Sequence, residues 1–96
     1  MANSCQCPTP PGGVASCESH QLAICRVQNG VASTECHDPP DDADNLALQN
    51  WALEVITGTP RSPTQPLSPT EASTLALGAF QNTATGVTTT FAMPKP

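Results

Sequence analysis

Tyrosine is absent from this chain, and Trp51, Phe80 and Phe91 are its only aromatic residues. With so few large apolar groups, 96 residues cannot build a deep core, and domains of this size often need staples or a partner. Basic residues are as scarce. Arg26, Arg61 and Lys95 stand against eight carboxylates, for a formal charge of −5. Nucleic-acid binding needs a basic patch that displaces counterions, and three scattered cations cannot supply one. The same balance disfavours anionic membranes. No apolar run approaches the ~20 residues of a membrane-spanning helix. The opening MANSCQCPTPPGG has neither a basic n-region nor an apolar h-region, and no Asn-x-Ser/Thr acceptor occurs. These absences predict a cytoplasmic protein, whose thiols are kept reduced.

Cysteine and histidine are missing from everything after His37. All five cysteines fall between Cys5 and Cys36, with His20 inside that stretch and His37 directly after it. A reduced compartment and a weak core together favour a structural zinc ion, which takes four thiolates or three thiolates and an imidazole. The expected ligands are Cys7, Cys17, Cys25 and Cys36, with Cys5, His20 and His37 as alternates. The spacing lacks the usual paired knuckles of two cysteines two residues apart. Disulfides are the second reading, although five cysteines leave one unpaired. An iron–sulfur cluster or a redox-active pair is the third, with spacings looser than those sites normally use.

Local patterns divide the chain at about residue 40. Residues 1–40 read as a zinc-ribbon-like hairpin module. Pro8, Pro10, Pro11, Gly12 and Gly13 make an opening loop that runs to about Ser16. Asn29-Gly30 lies between two β-rich runs, Gln21–Val27 and Val31–Cys36, and is a strong signal for a two-residue hairpin turn. That turn pairs Gln28 with Val31 and sets Cys25 opposite Thr34. Cys36 then shares a sheet face with Cys25, within reach of a common metal.

Residues 41–96 read as a helix, a proline spacer, a second helix and a strand. A helix is expected over Asp41–Thr57, capped by Asp41 or Asp42, carrying Leu48, Trp51, Ala52, Val55 and Ile56 on one face, and stopped by Gly58. Prolines at 60, 63, 66 and 69 match the three-residue turn of polyproline II, as a spacer or as a ligand for a proline-reading domain. Ser68-Pro69-Thr70-Glu71 is a capping box with proline at the first helical position. The second helix should place Ala72, Leu75, Ala76, Ala79 and Phe80 on one face and fray near Asn82. Val87–Met93 alternates as a half-buried strand whose partner is left open: the hairpin, another subunit or another protein.

The expected fold is therefore small α+β: a cysteine-stapled, zinc-bound β-hairpin, two short helices and a C-terminal strand. No phosphate loop or nucleophile–base pair is present, so the chain reads as a non-enzymatic adaptor. Its partner is another protein or a second copy, with Trp51, Pro60, Pro63, Pro66 and Phe91 as contact residues. The rival readings are a thiol–disulfide redox protein and a secreted, disulfide-stabilised structural or toxin-like domain.

Overall fold

A computed structural model describes Ala2–Lys95. Eight elements follow one another: β1 (Ala2–Gln6), β2 (Val14–Glu18), β3 (Leu22–Gln28), β4 (Val31–His37), α1 (Asn45–Thr57), α2 (Pro69–Leu77), β5 (Ala79–Asn82) and β6 (Val87–Ala92). The small α+β class holds. The strands form two antiparallel sheets, a β1–β2 pair and a four-stranded sheet in the order β4-β3-β6-β5. Two of the four strands come from residues 1–40 and two from the remainder. Among the described residues, no helix is long and apolar enough to cross a membrane.

Strand β3 is the centre of three layers. Successive side chains on a strand point to opposite faces. Leu22 and Ile24 pack with Ala52 and Ile56 of α1 and with Phe91 of β6. Ala23, Cys25 and Val27 face the other way, against Cys7, Ala15 and Cys17. The helices therefore cover one face of the large sheet and the β1–β2 pair covers the other. Leu22, Ala23, Ile24 and Cys25 are all fully buried, as a strand enclosed on both faces requires.

Several local expectations are met. Asn29 and Gly30 adopt positive φ (53° and 75°), and Gln28 pairs with Val31 and Cys25 with Thr34. Ser68 and Glu71 form the reciprocal capping box with Pro69 at the helix start. The first helix begins later than expected. Its cap is Asp44, whose carboxylate accepts from the Ala47 N–H at 2.8 Å, while Asp42 sits in a left-handed turn (φ 58°).

The second helix is shorter than the periodicity suggests. Gly78 adopts φ 68° and ends it, and Phe91 N–H donates to the Gly78 carbonyl at 2.9 Å. Ala79 and Phe80 consequently belong to β5, which pairs with β6. The C-terminal strand finds both its neighbours, β3 and β5, within the chain. The opening segment is also more regular than a loop. Cys7 N–H bonds to the Gly13 carbonyl and closes the Pro-Gly turn, so β1 and β2 run back on each other.

The zinc centre is not what holds these layers together. Cys7 is bonded to Cys25 and Cys17 to Cys36. Cys25 and Cys36 do share a face, as the hairpin register requires, but each takes its partner from the layer lying over that face. The disulfide Cα atoms are 5.4 and 5.6 Å apart, within the usual range for a bridge. Each bridge links the β1–β2 unit to the large sheet, and closing such a loop removes unfolded-state entropy.

Candidate functional site

With four cysteines oxidised, the remaining proposed ligands are scattered. Cys5 keeps a free, half-buried thiol in β1, 3.6 Å from the Ala23 carbonyl and 3.7 Å from the Thr90 carbonyl. Burial pushes this thiol up from its ordinary pKa, outweighing the hydrogen bonds that favour the thiolate. His20 lies exposed with Nε2 3.2 Å from Asp38 Oδ1, and His37 Nε2 is 2.8 Å from Glu35 Oε1. Among the described residues, no group of three or more His, Cys, Asp or Glu side chains converges to hold a metal. The expectation of bound zinc, on the main set or on the alternates, is therefore overturned. The cytoplasmic assignment goes with it, because a pair of structural disulfides fits an oxidising compartment. Cys5 is unpaired, and Cys25 and Cys36 bond to Cys7 and Cys17, so neither a Cys5–Cys7 nor a Cys25–Cys36 pair is formed.

Glu35 and Arg26 make a structural site rather than a chemical one. Arg26 reaches from β3 to the end of α1, where Nη2 donates to the Val55 carbonyl at 2.8 Å and Nη1 to the Ile56 carbonyl at 3.1 Å. These carbonyls have no partner within the helix, and a cation suits that end of its dipole. The Arg26 Nε donates to Glu35 at 2.8 Å. Burial pushes the Glu35 carboxyl up, but the Arg26 and His37 contacts outweigh it and hold the group below its usual range.

The expected contact residues separate into two groups. Phe91 is core, 5 % exposed, on a strand paired along both edges. Pro60, Pro63 and Pro66 are exposed, yet their ladder does not run straight. Gln65 N–H bonds back to the Ser62 carbonyl and makes a turn. Buried Asn50 in α1 donates to the carbonyls of Pro63 (3.3 Å) and Gln65 (2.9 Å) and holds the segment alongside the helix.

Trp51 is half-buried and lines a cleft of about 360 Å³. Ala47 and Pro63 continue its wall, and Asp41, Asp42 and Glu54 bring carboxylates to it. The left-handed turn at Asp42 brings the acidic loop after Pro39-Pro40 back against the start of α1. Arg61 also lies in the wall, and its side chain is only 8 % exposed. Its backbone N–H donates to Glu54 Oε1 at 2.9 Å and its Nε to Asn50 Oδ1 at 2.9 Å, while Nη1 pairs with Glu71. Glu71 is held below the usual carboxylate range first by the Ser68 N–H of the capping box and then by Arg61. Arg61 thus joins α1, the proline segment and the start of α2. Its Nη2 is, among the described residues, the one buried side-chain nitrogen or oxygen without a hydrogen-bond partner.

The sequence set Trp51 on the apolar face of the first helix and among the contact residues, and it both packs against the core cluster and lines the cleft. The places of Asp41, Asp42 and Arg61 in the wall were not foreseeable, because no sequence spacing shows that residue 61 folds back onto residues 50 and 54. No family model, no curated protein and no solved structure matches the chain.

Proposed function

We propose that this chain is a disulfide-braced, non-enzymatic protein-binding module that works in an oxidising compartment. The observation that carries this reading is the pair of bridges, Cys7–Cys25 and Cys17–Cys36, fastening the β1–β2 layer across β3 and β4. That layer is held by small side chains, since its core cluster contains no residue larger than Val27. Small secreted domains with too little apolar payload use bridges in this way. The Trp51 cleft is the contact surface best suited to a partner, because a half-buried tryptophan offers large apolar area beside polar groups.

Thiol counting by mass tests the reading. Purified protein, denatured without reductant and alkylated, should take up one label, on Cys5, and five labels after reduction. Five labels without reduction, on a protein that circular dichroism shows to be folded before denaturation, would refute it.

A further inference from the structure

We infer that the Trp51 cleft takes an arginine side chain presented by a partner protein, an inference that rests on the binding-module reading. Two observations point to this occupant. First, the cleft holds about 360 Å³, in the range of small-ligand sites, and has an indole in its wall. A guanidinium plane stacks on an indole face and is attracted to it.

Second, the charge around the cleft is complementary to a cation. Among the described residues, the Asp41 and Asp42 carboxylates have no hydrogen-bond or ion-pair partner, and both residues are exposed. Glu54 adds a third carboxylate. The one cation in the wall, Arg61, is already matched by Glu71 and turned into the Asn50 network. A chain of formal charge −5 also draws cationic partners from a distance.

Arginine is favoured over a metal because no three-ligand group converges among the described residues. It is favoured over lysine because its fork meets a carboxylate through two parallel N–H bonds.

The test is a titration of ¹⁵N-labelled, oxidised full-length protein with the peptide acetyl-Gly-Arg-Gly-amide at low salt. The citrulline analogue, neutral and nearly isosteric, is titrated in parallel. The Trp51 indole N–H and the amides of residues 41–54 should shift saturably with the arginine peptide. Citrulline should bind at least about tenfold more weakly, and raising the salt should weaken arginine but not citrulline. Asp41→Asn/Asp42→Asn should weaken arginine binding about threefold to tenfold, since it removes two charges and no structural contact. Trp51→Leu should weaken it about threefold to thirtyfold. If that variant does not fold, the double asparagine variant decides.

Equal binding of citrulline, or a response to choline that exceeds the response to arginine, would overturn the assignment. So would calcium producing the shifts that the peptide does not. Absence of any shift in a protein with both bridges intact removes the arginine site and leaves the module standing. Absence of the bridges themselves removes the module.

Discussion

Removal of either disulfide should be among the most damaging changes this chain can suffer, and the two removals should differ. The bridges close loops with sequence separations of 18 and 19 residues. Loop-closure entropy for that length comes to about 3 kcal/mol per bridge at 25 °C. Domains of this size have a total stability of about 5–15 kcal/mol, so one bridge is a large fraction of it. Cys36 is exposed and Cys17 nearly buried, so Cys17→Ala/Cys36→Ala loses little packing and should cost about 3 kcal/mol. Cys7 and Cys25 are 7 % and 0 % exposed, and Cys7→Ala/Cys25→Ala also leaves a void under β1 worth about 1 kcal/mol more. Urea unfolding followed by Trp51 fluorescence measures both. The midpoint should fall in each variant, further for the Cys7–Cys25 pair. The slope should rise, because an unfolded chain with one fewer cross-link is less compact. Thermal midpoints should drop by about 10–25 °C. A loss below about 1 kcal/mol for either pair, or an unchanged slope with an unchanged midpoint, would refute the view that the bridges carry this fold.

Gly78 and Gly58 offer a matched comparison at two helix ends. Both have positive φ, 68° and 77°, but a Cβ on Gly78 would lie 2.9 Å from the Phe91 carbonyl oxygen while one on Gly58 meets nothing within 4 Å. Gly58→Ala should cost about 1–2 kcal/mol for the left-handed backbone, and Gly78→Ala measurably more, by thermal unfolding of the two variants side by side. Glu35 predicts a pH dependence. Its folded pKa lies below the unfolded value of about 4.3, so its stabilisation is present above that value and is lost as pH falls through the folded pKa. Wild type should therefore lose stability more steeply than Glu35→Gln below about pH 4.5, and parallel curves would show that the Arg26–Glu35–His37 cluster contributes nothing.

What the sequence made legible is local, and what it concealed depends on layers meeting. Asn29-Gly30 set the β3–β4 register because a two-residue turn leaves no freedom in the pairing. Ser68 to Glu71 set the start of α2 because the capping box is complete within four residues. Gly58 marked the end of α1 for the same reason. Gly78 falls inside the helix expected to run to about Asn82, although it is the stop. The helical spacing of Ala79 and Phe80 also fits a strand when only four residues follow the glycine. The pattern of β6 was visible, and the hairpin that holds β3 was one of the partners weighed for it, but the choice among them was not legible across a long sequence separation. The other partner, β5, had been assigned to the helix.

The cysteine pattern shows why the site itself was misread. The hairpin register places Cys25 and Cys36 on one face, and that much survives in the structure. The single zinc ion expected from the sequence would have to sit at a face that β1 and β2 in fact cover. Cys7 and Cys17 descend onto it from those elements, eighteen and nineteen residues before their partners. A metal needs four ligands around one point, whereas disulfides need only two pairs of Cβ atoms at contact distance. Here the two layers satisfy the second condition at two separate points, Cys7–Cys25 and Cys17–Cys36. The layering that made the bridges also left the opposite face of β3 to α1. The proline segment, pinned there by Asn50 and Arg61, is what shapes the Trp51 cleft. The bridges and the cleft are thus consequences of the same central strand, one on each side of it.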